Sequence, residues 1–306
     1  MKLPPSRGLS TPDGARARPV KKPAELRRQE RHVAQGRGVG TGSSYKPYIQ
    51  IERSGFQSRG RSHLLFNPQL ERHHHLLSDL ELLTFLWAWS FQASDYREQL
   101  PLQRFELDPL FLFQPKRALG TTEIARALGI KHPSITKNDP KIMTTDLLVT
   151  FSDRSHVAIH AKYRKEQLEA SDRQIDLKLI EKQYWRSRHV KFLVVDETPY
   201  TEGRANQMVW ALDGMFWNEG DAALAAILRY LSLTPPRAPM NERIDAAAYA
   251  TGLCFEDAVR AFKFAMLNRK WVVQLGIELV LSDPWPSRPS RIAPVLSARS
   301  FKGVFT

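Results

Sequence analysis

The sequence predicts an α/β protein: a mixed-sheet domain over residues 45–218, then a smaller, mainly helical, winged-helix-like module over 219–283. A flexible basic arm at 1–44 and a Pro/Ser/Arg-rich tail at 284–306 flank them. Three observations predict this layout. Apolar periodicity alternates between helical and strand spacing from residue 76 to residue 216, in the order helix, strand, strand, strand, helix, strand. After residue 218 the pattern becomes helix, helix, turn, helix and two strands, the outline of a winged helix. Before residue 45 the chain is basic and rich in proline and glycine.

Residues 1–44 hold ten Lys/Arg against three Asp/Glu, five prolines and the run "GRGVGTG", so a solvated, extended arm is expected. The glycines are not a phosphate loop, because no Lys-Ser/Thr follows and no strand precedes them. "YKPYIQIERS" reads as a short strand. "LLSDLELLTFLWAWSFQ" is a helix with Ser78 as N-cap and Glu81 three residues later, the spacing of a capping box. "DYREQLPLQ" is an edge strand ended by Pro101, and "TTEIARALGI" a short helix opened by a threonine cap. "MTTDLLVTF" and "SHVAIHAKY" are strands joined by a turn at Asp153 and Arg154. "SDRQIDLKLIEKQYWRSR" is an amphipathic helix, "VKFLVVDE" a buried strand and "GRANQMVWALDGMF" a further helix. Beyond, "DAALAAILRYLSL" is broken by "TPPRAP"; "NERIDAAAYATGL" and "FEDAVRAFKFAMLNRK" are two helices joined through Gly252; "WVVQL" and "ELVLS" are two strands around Gly276.

Composition bounds the function. The 306 residues carry a formal charge of +13 and 42% hydrophobic residues, so a packed core is available and a polyanion is the expected partner, nucleic acid before an anionic membrane. No apolar run of about 18 residues is present, so no transmembrane helix is expected. The lone Cys254 excludes an intrachain disulfide and a multi-cysteine zinc site, which suits a reducing compartment. The "HHH" at 73–75 is a poor zinc site, since neighbouring strand residues point to opposite faces; a surface or DNA-facing cluster is expected.

Chemistry concentrates on neighbouring elements. Glu81 lies in the first turn of the long helix, Asp146 near the start of a strand, and Lys162 at the end of the next strand with His160 on its face. Two carboxylates can hold Mg²⁺ with waters left in its octahedron, and a lysine beside them can orient the attacking water or neutralise a phosphoryl group. Each residue also has a plain structural reading: Glu81 completes a capping box, Asp146 begins a strand, and Lys162 snorkels to solvent.

The blocks "YKPYI", "GRSHLLF", "HHLLSDLELLTFL", "DYREQLPL", "GIKHP" and "MTTDLLV", in this order behind a glycine-rich basic arm, resemble the TnsA endonuclease subunits of Tn-seven-type heteromeric transposases over roughly residues 30–215. The resemblance implies a restriction-endonuclease-like catalytic domain with Glu81, Asp146 and Lys162 as catalytic residues. It implies Mg²⁺, with Mn²⁺ able to substitute, held by Glu81 and Asp146, with the Ala161 carbonyl a further candidate ligand and His160 open to ligating the metal, contacting a water or standing outside the coordination sphere. His160 stands where that family has glutamine. It further implies hydrolysis at the 5′ ends of a transposon, a TnsB-like DDE transposase acting on the 3′ ends, a TnsC-like AAA+ ATPase regulator, and a bacterial, cytoplasmic, nucleoid-associated location. Arg37, Lys131 and Lys137 are the candidate DNA contacts; His132 has no assigned chemistry. The rival readings are a non-catalytic winged-helix DNA-binding or assembly factor on an inactive nuclease fold, and a small restriction or repair nuclease.

Overall fold

The computed structural model describes residues 22–51, 61–106, 118–273, 279–285 and 287–289. The arm departs from expectation within these residues. Ala24–Ala34 is a helix, α1, that buries Leu26, Gln29 and His32. Gln29 explains why it docks: its amide nitrogen donates to the Pro140 carbonyl at 3.2 Å and its oxygen accepts the Ile142 N–H at 2.9 Å. The glycine run then turns back along the sheet edge. Gly38 has a φ of +86°, and a Cβ there would fall 2.1 Å from the Pro101 ring, so the close approach requires glycine. Residues 45–51 contain no strand, contrary to expectation; Pro47 supplies no N–H, and Tyr48 makes a single backbone bond to Gln99. The rest of "YKPYIQIERS" lies outside the described residues.

His63–Asn67 (β1) and Arg72–Leu76 (β2) form an antiparallel hairpin that leads into Asp79–Trp89 (α2). His74 on β2 corrects the surface-cluster expectation. It is fully buried, between Asn67 and Glu98, because Glu98 offers it and Arg72 a buried carboxylate. Asp95–Pro101 (β3) follows, then Thr121–Ala127 (α3), which starts at Gly120 without a side-chain cap. His132 bridges Thr121 Oγ1 at 2.9 Å and the Pro133 carbonyl at 2.7 Å, a structural staple for this helix start. Thr144–Thr150 (β4) and His156–Ala161 (β5) are antiparallel, and after Arg164–Leu168 (α4) and Asp172–Arg186 (α5), Lys191–Val195 (β6) joins β5 in parallel. The sheet order is β3-β4-β5-β6, a mixed sheet.

Two cores sandwich the sheet. Leu147, Val149, Val157 and Ile159 face α2 with Leu80 and Phe85. Leu148 and Ala158 face α5 with Ile180 and Tyr184. The first core continues without a break into the C-terminal helices: Glu202–Trp210 (α6), Gly220–Leu233 (α7), Met240–Thr251 (α8) and Phe255–Leu267 (α9). Trp89 of α2 meets Phe264 of α9 edge to face at 6.0 Å, so no gap in packing marks the boundary expected at residue 218. Gly252, at φ 72°, turns α8 into α9. The partner of Trp271–Val273 (β7) differs from expectation. It is Ser287–Pro289 (β8), inside the segment read as tail, whereas 279–282 form no strand. Trp285, fully buried and bonded through its indole N–H to the Val280 carbonyl, brings the chain back.

Candidate active site

Glu81 is placed by its helix start. Ser78 Oγ accepts the Glu81 N–H at 3.1 Å, as the cap spacing predicts. The Glu81 carboxylate, however, does not close a capping box on Ser78. Its Oε2 accepts from the Leu77 N–H at 3.0 Å and from Gln99 Nε2 at 3.2 Å. Burial and then the charge of Asp146 push the Glu81 carboxyl up to about 8.

Asp146 is placed by a divergence of strands. β4 remains paired with β3 as far as Thr144 opposite Pro101, but with β5 only as far as Leu147 opposite Ile159. Where the β4–β5 ladder stops, Asp146 Oδ2 accepts the Ala161 N–H at 2.8 Å. Asp146, Ala161 and Glu81 line one small cavity with Leu76, Thr84, Leu147 and Ile159. The side chains therefore converge at the point where the sheet opens.

His160 leans the other way. Its Nδ1 lies 3.0 Å from Glu181 Oε2 and 3.5 Å from Asp146 Oδ2, as an ion pair set off the ring N–H direction. Burial lowers its basicity, but Glu181 and Asp146 outweigh burial and raise it to about 9. Burial pushes Glu181 up and His160 pulls it back, so this pair retains a proton near neutral pH. Glu181 also accepts from Thr145 Oγ1 at 2.7 Å, and the same hydroxyl accepts the Trp185 indole N–H at 2.7 Å. Lys162, immediately after β5, pairs its ammonium with Glu166 of α4, and it does not line the cavity.

The candidate DNA contacts are dispersed. Arg37 sits in the turn after α1, its Nε donating to Gln35 at 2.8 Å. Lys131 and Lys137 are exposed on the loop between α3 and β4. Two buried residues of the site escaped sequence reasoning. Glu181 carried a signal, being acidic on an apolar stripe with Ile180, Tyr184 and Trp185. Gln99 carried none. Among the described residues no group of three or more His, Cys, Asp and Glu side chains is arranged to hold a metal ion. Two carboxylates, each anchored through one oxygen, nonetheless suit Mg²⁺, which keeps several waters and takes few protein ligands.

The mixed sheet thus opens beside the paired acids Glu81 and Asp146. Residues 94–197 match the family described as TnsA-like endonuclease N terminal. The transposon Tn7 transposition protein TnsA of Escherichia coli is 31% identical over 180 residues. That alignment covers 58% of this chain and 58% of the relative. Over the aligned segment the chain is similar to that protein, and it spans about 58% of that relative's length. Glu81 lies before the matched window, whereas Asp146, His160, Lys162 and Glu181 fall within it. No helix among the described residues is long and apolar enough to cross a membrane.

Proposed function

We propose that this protein is a metal-dependent DNA endonuclease subunit of a transposase, hydrolysing a phosphodiester at the 5′ ends of the transposon. The observation that carries the reading is the convergence of Glu81 and Asp146 with Ala161 on one cavity where β4 leaves β5. Glu81, Asp146 and the Ala161 carbonyl would hold Mg²⁺ or Mn²⁺. When bound, that ion supplies charge for the phosphoryl oxygens and a more acidic water. Glu81 and Asp146 each keep one oxygen tied to backbone N–H groups, which fixes the other. His160, held by Glu181, stands beside Asp146 as a cation at neutral pH, and ligation through it requires loss of that proton. Lys162 leaves Glu166 to meet the scissile phosphate or its attacking water.

Arg37, Lys131 and Lys137 contribute phosphate contacts, which position the duplex without reading its sequence. A DDE transposase partner, TnsB-like, acts on the 3′ ends, and an AAA+ regulator, TnsC-like, assembles the complex. The order α8, turn, α9, β7 supports a winged-helix-like module. Its second helix, α9, is buried through Ala258, Ala261, Phe262, Phe264, Ala265 and Leu267, which favours assembly over groove reading. The test is end cleavage with the partner transposase and Mg²⁺ or Mn²⁺. Asp146→Ala is expected to stop cleavage while retaining the unfolding temperature of the unaltered chain. Normal cutting by the folded variant overturns the site.

A further inference from the structure

Gln99 is a glutamine in the left-handed region, at φ 47°, and only 2% exposed. Non-glycine residues hold that conformation where the surrounding structure imposes it, and such positions gather at functional sites. The surroundings here do impose it. Glu98 pairs with Leu147 and Leu100 with Thr145, but the register omits Gln99. On either side of it the strand changes face: Glu98 turns toward Arg72 and His74, whereas Leu100, two residues on, enters the opposite core with Tyr184. The Gln99 carbonyl accepts the Tyr48 N–H at 3.3 Å, which holds the kink from outside the sheet.

The kink aims the side chain along the strand ends toward α2. Thr144 Oγ1 donates to Gln99 Oε1 at 3.3 Å, which fixes the amide orientation, and Nε2 then donates to Glu81 Oε2 at 3.2 Å. Leu77 N–H reaches the same oxygen. Among the described residues no donor reaches Glu81 Oε1. Asp146 is divided in the same way, with Ala161 N–H and His160 both on Oδ2.

We propose that Gln99 is a positioning residue of this site: it holds Glu81 by one oxygen and leaves the other for a divalent cation shared with Asp146. The proposal rests on the metal-dependent reading above. Two carboxylates lining one cavity repel each other, and a neutral amide donor stabilises their approach without adding a charge that competes with the cation.

The test is Mn²⁺ titration of the full chain by calorimetry, with thermal unfolding alongside, for Gln99→Leu and Gln99→Gly. Glycine suits the left-handed backbone and keeps the carbonyl bond to Tyr48, so it removes the amide while leaving the kink. Both variants are expected to bind Mn²⁺ about 10- to 100-fold more weakly while remaining folded at the titration temperature. End cleavage is expected to recover at saturating Mn²⁺, whereas Asp146→Ala stays inactive at every concentration. Wild-type Mn²⁺ affinity in Gln99→Gly overturns the proposal. So does weaker binding that the unfolded fraction at the titration temperature accounts for. If the unaltered, folded chain takes up no Mn²⁺, the metal-dependent reading fails, and this proposal with it.

Discussion

Replacing Glu81 with glutamine tests the electrostatics of the site before any chemistry is measured. The Glu81 carboxyl holds its proton to about 8 in the folded chain, against an ordinary value of 4.5. Below the lower value both folded and unfolded states are protonated. Between the two values the folded state binds a proton that the unfolded state has released, so stability falls as pH rises and the loss is complete above about 8. At about 1.4 kcal/mol per pKa unit, the full displacement corresponds to roughly 5 kcal/mol. Glu81 is only part-buried by exposed area, and solvent at the cavity screens the interaction, so about 2 kcal/mol is the working figure. Glutamine at 81 still offers an acceptor to the Leu77 N–H but does not ionise. Urea unfolding without divalent metal is therefore expected to show equal stability for Glu81→Gln and the unaltered chain near pH 4, and a variant about 2 kcal/mol more stable near pH 8. A constant gap across that range would refute the reasoning, because it would mean that Glu81 titrates alike in both states.

Other outcomes follow from neighbouring geometry. Arg72→Leu strips the guanidinium from the buried Glu98 carboxylate and is expected to cost about 3–5 kcal/mol in denaturant unfolding, whereas Arg72→Leu with Glu98→Leu recovers much of it. Removing residues 1–21, which carry five Lys/Arg, is expected to lower the slope of log DNA affinity against log salt by up to about 4. Removal through residue 35 is also expected to lower the unfolding temperature, because it strips Gln29 from Ile142 and exposes the seat of Leu26. Lys162→Ala is expected to abolish end cleavage while Mn²⁺ binding by calorimetry persists, since its ammonium pairs with Glu166 outside the carboxylate cavity.

The long helix, its Ser78 cap, the antiparallel pair carrying Asp146 and His160, and the apolar faces of α5, α8 and α9 were legible in the sequence. Each rests on residues within about four positions of one another, through helical or strand period and cap chemistry. Glu81 was legible as an acid at a helix start, but its carboxylate binds Leu77 and Gln99 instead of closing a box on Ser78. That choice depends on a strand 18 residues away. The basic arm misled because composition reports solvation, whereas α1 is held by Gln29 bridging to residues more than a hundred positions on. The strand partner of β7 misled because nearby "ELVLS" has the better strand pattern, yet buried Trp285 delivers Ser287–Pro289 to that edge. Local periodicity thus determined which segments become helices and strands and which acids lie at their ends. Only the tertiary structure decided that β4 leaves β5 at Asp146, that Gln99 turns left-handed over the gap, and that Glu181 backs His160, because each depends on contacts between distant segments that no short-range pattern encodes.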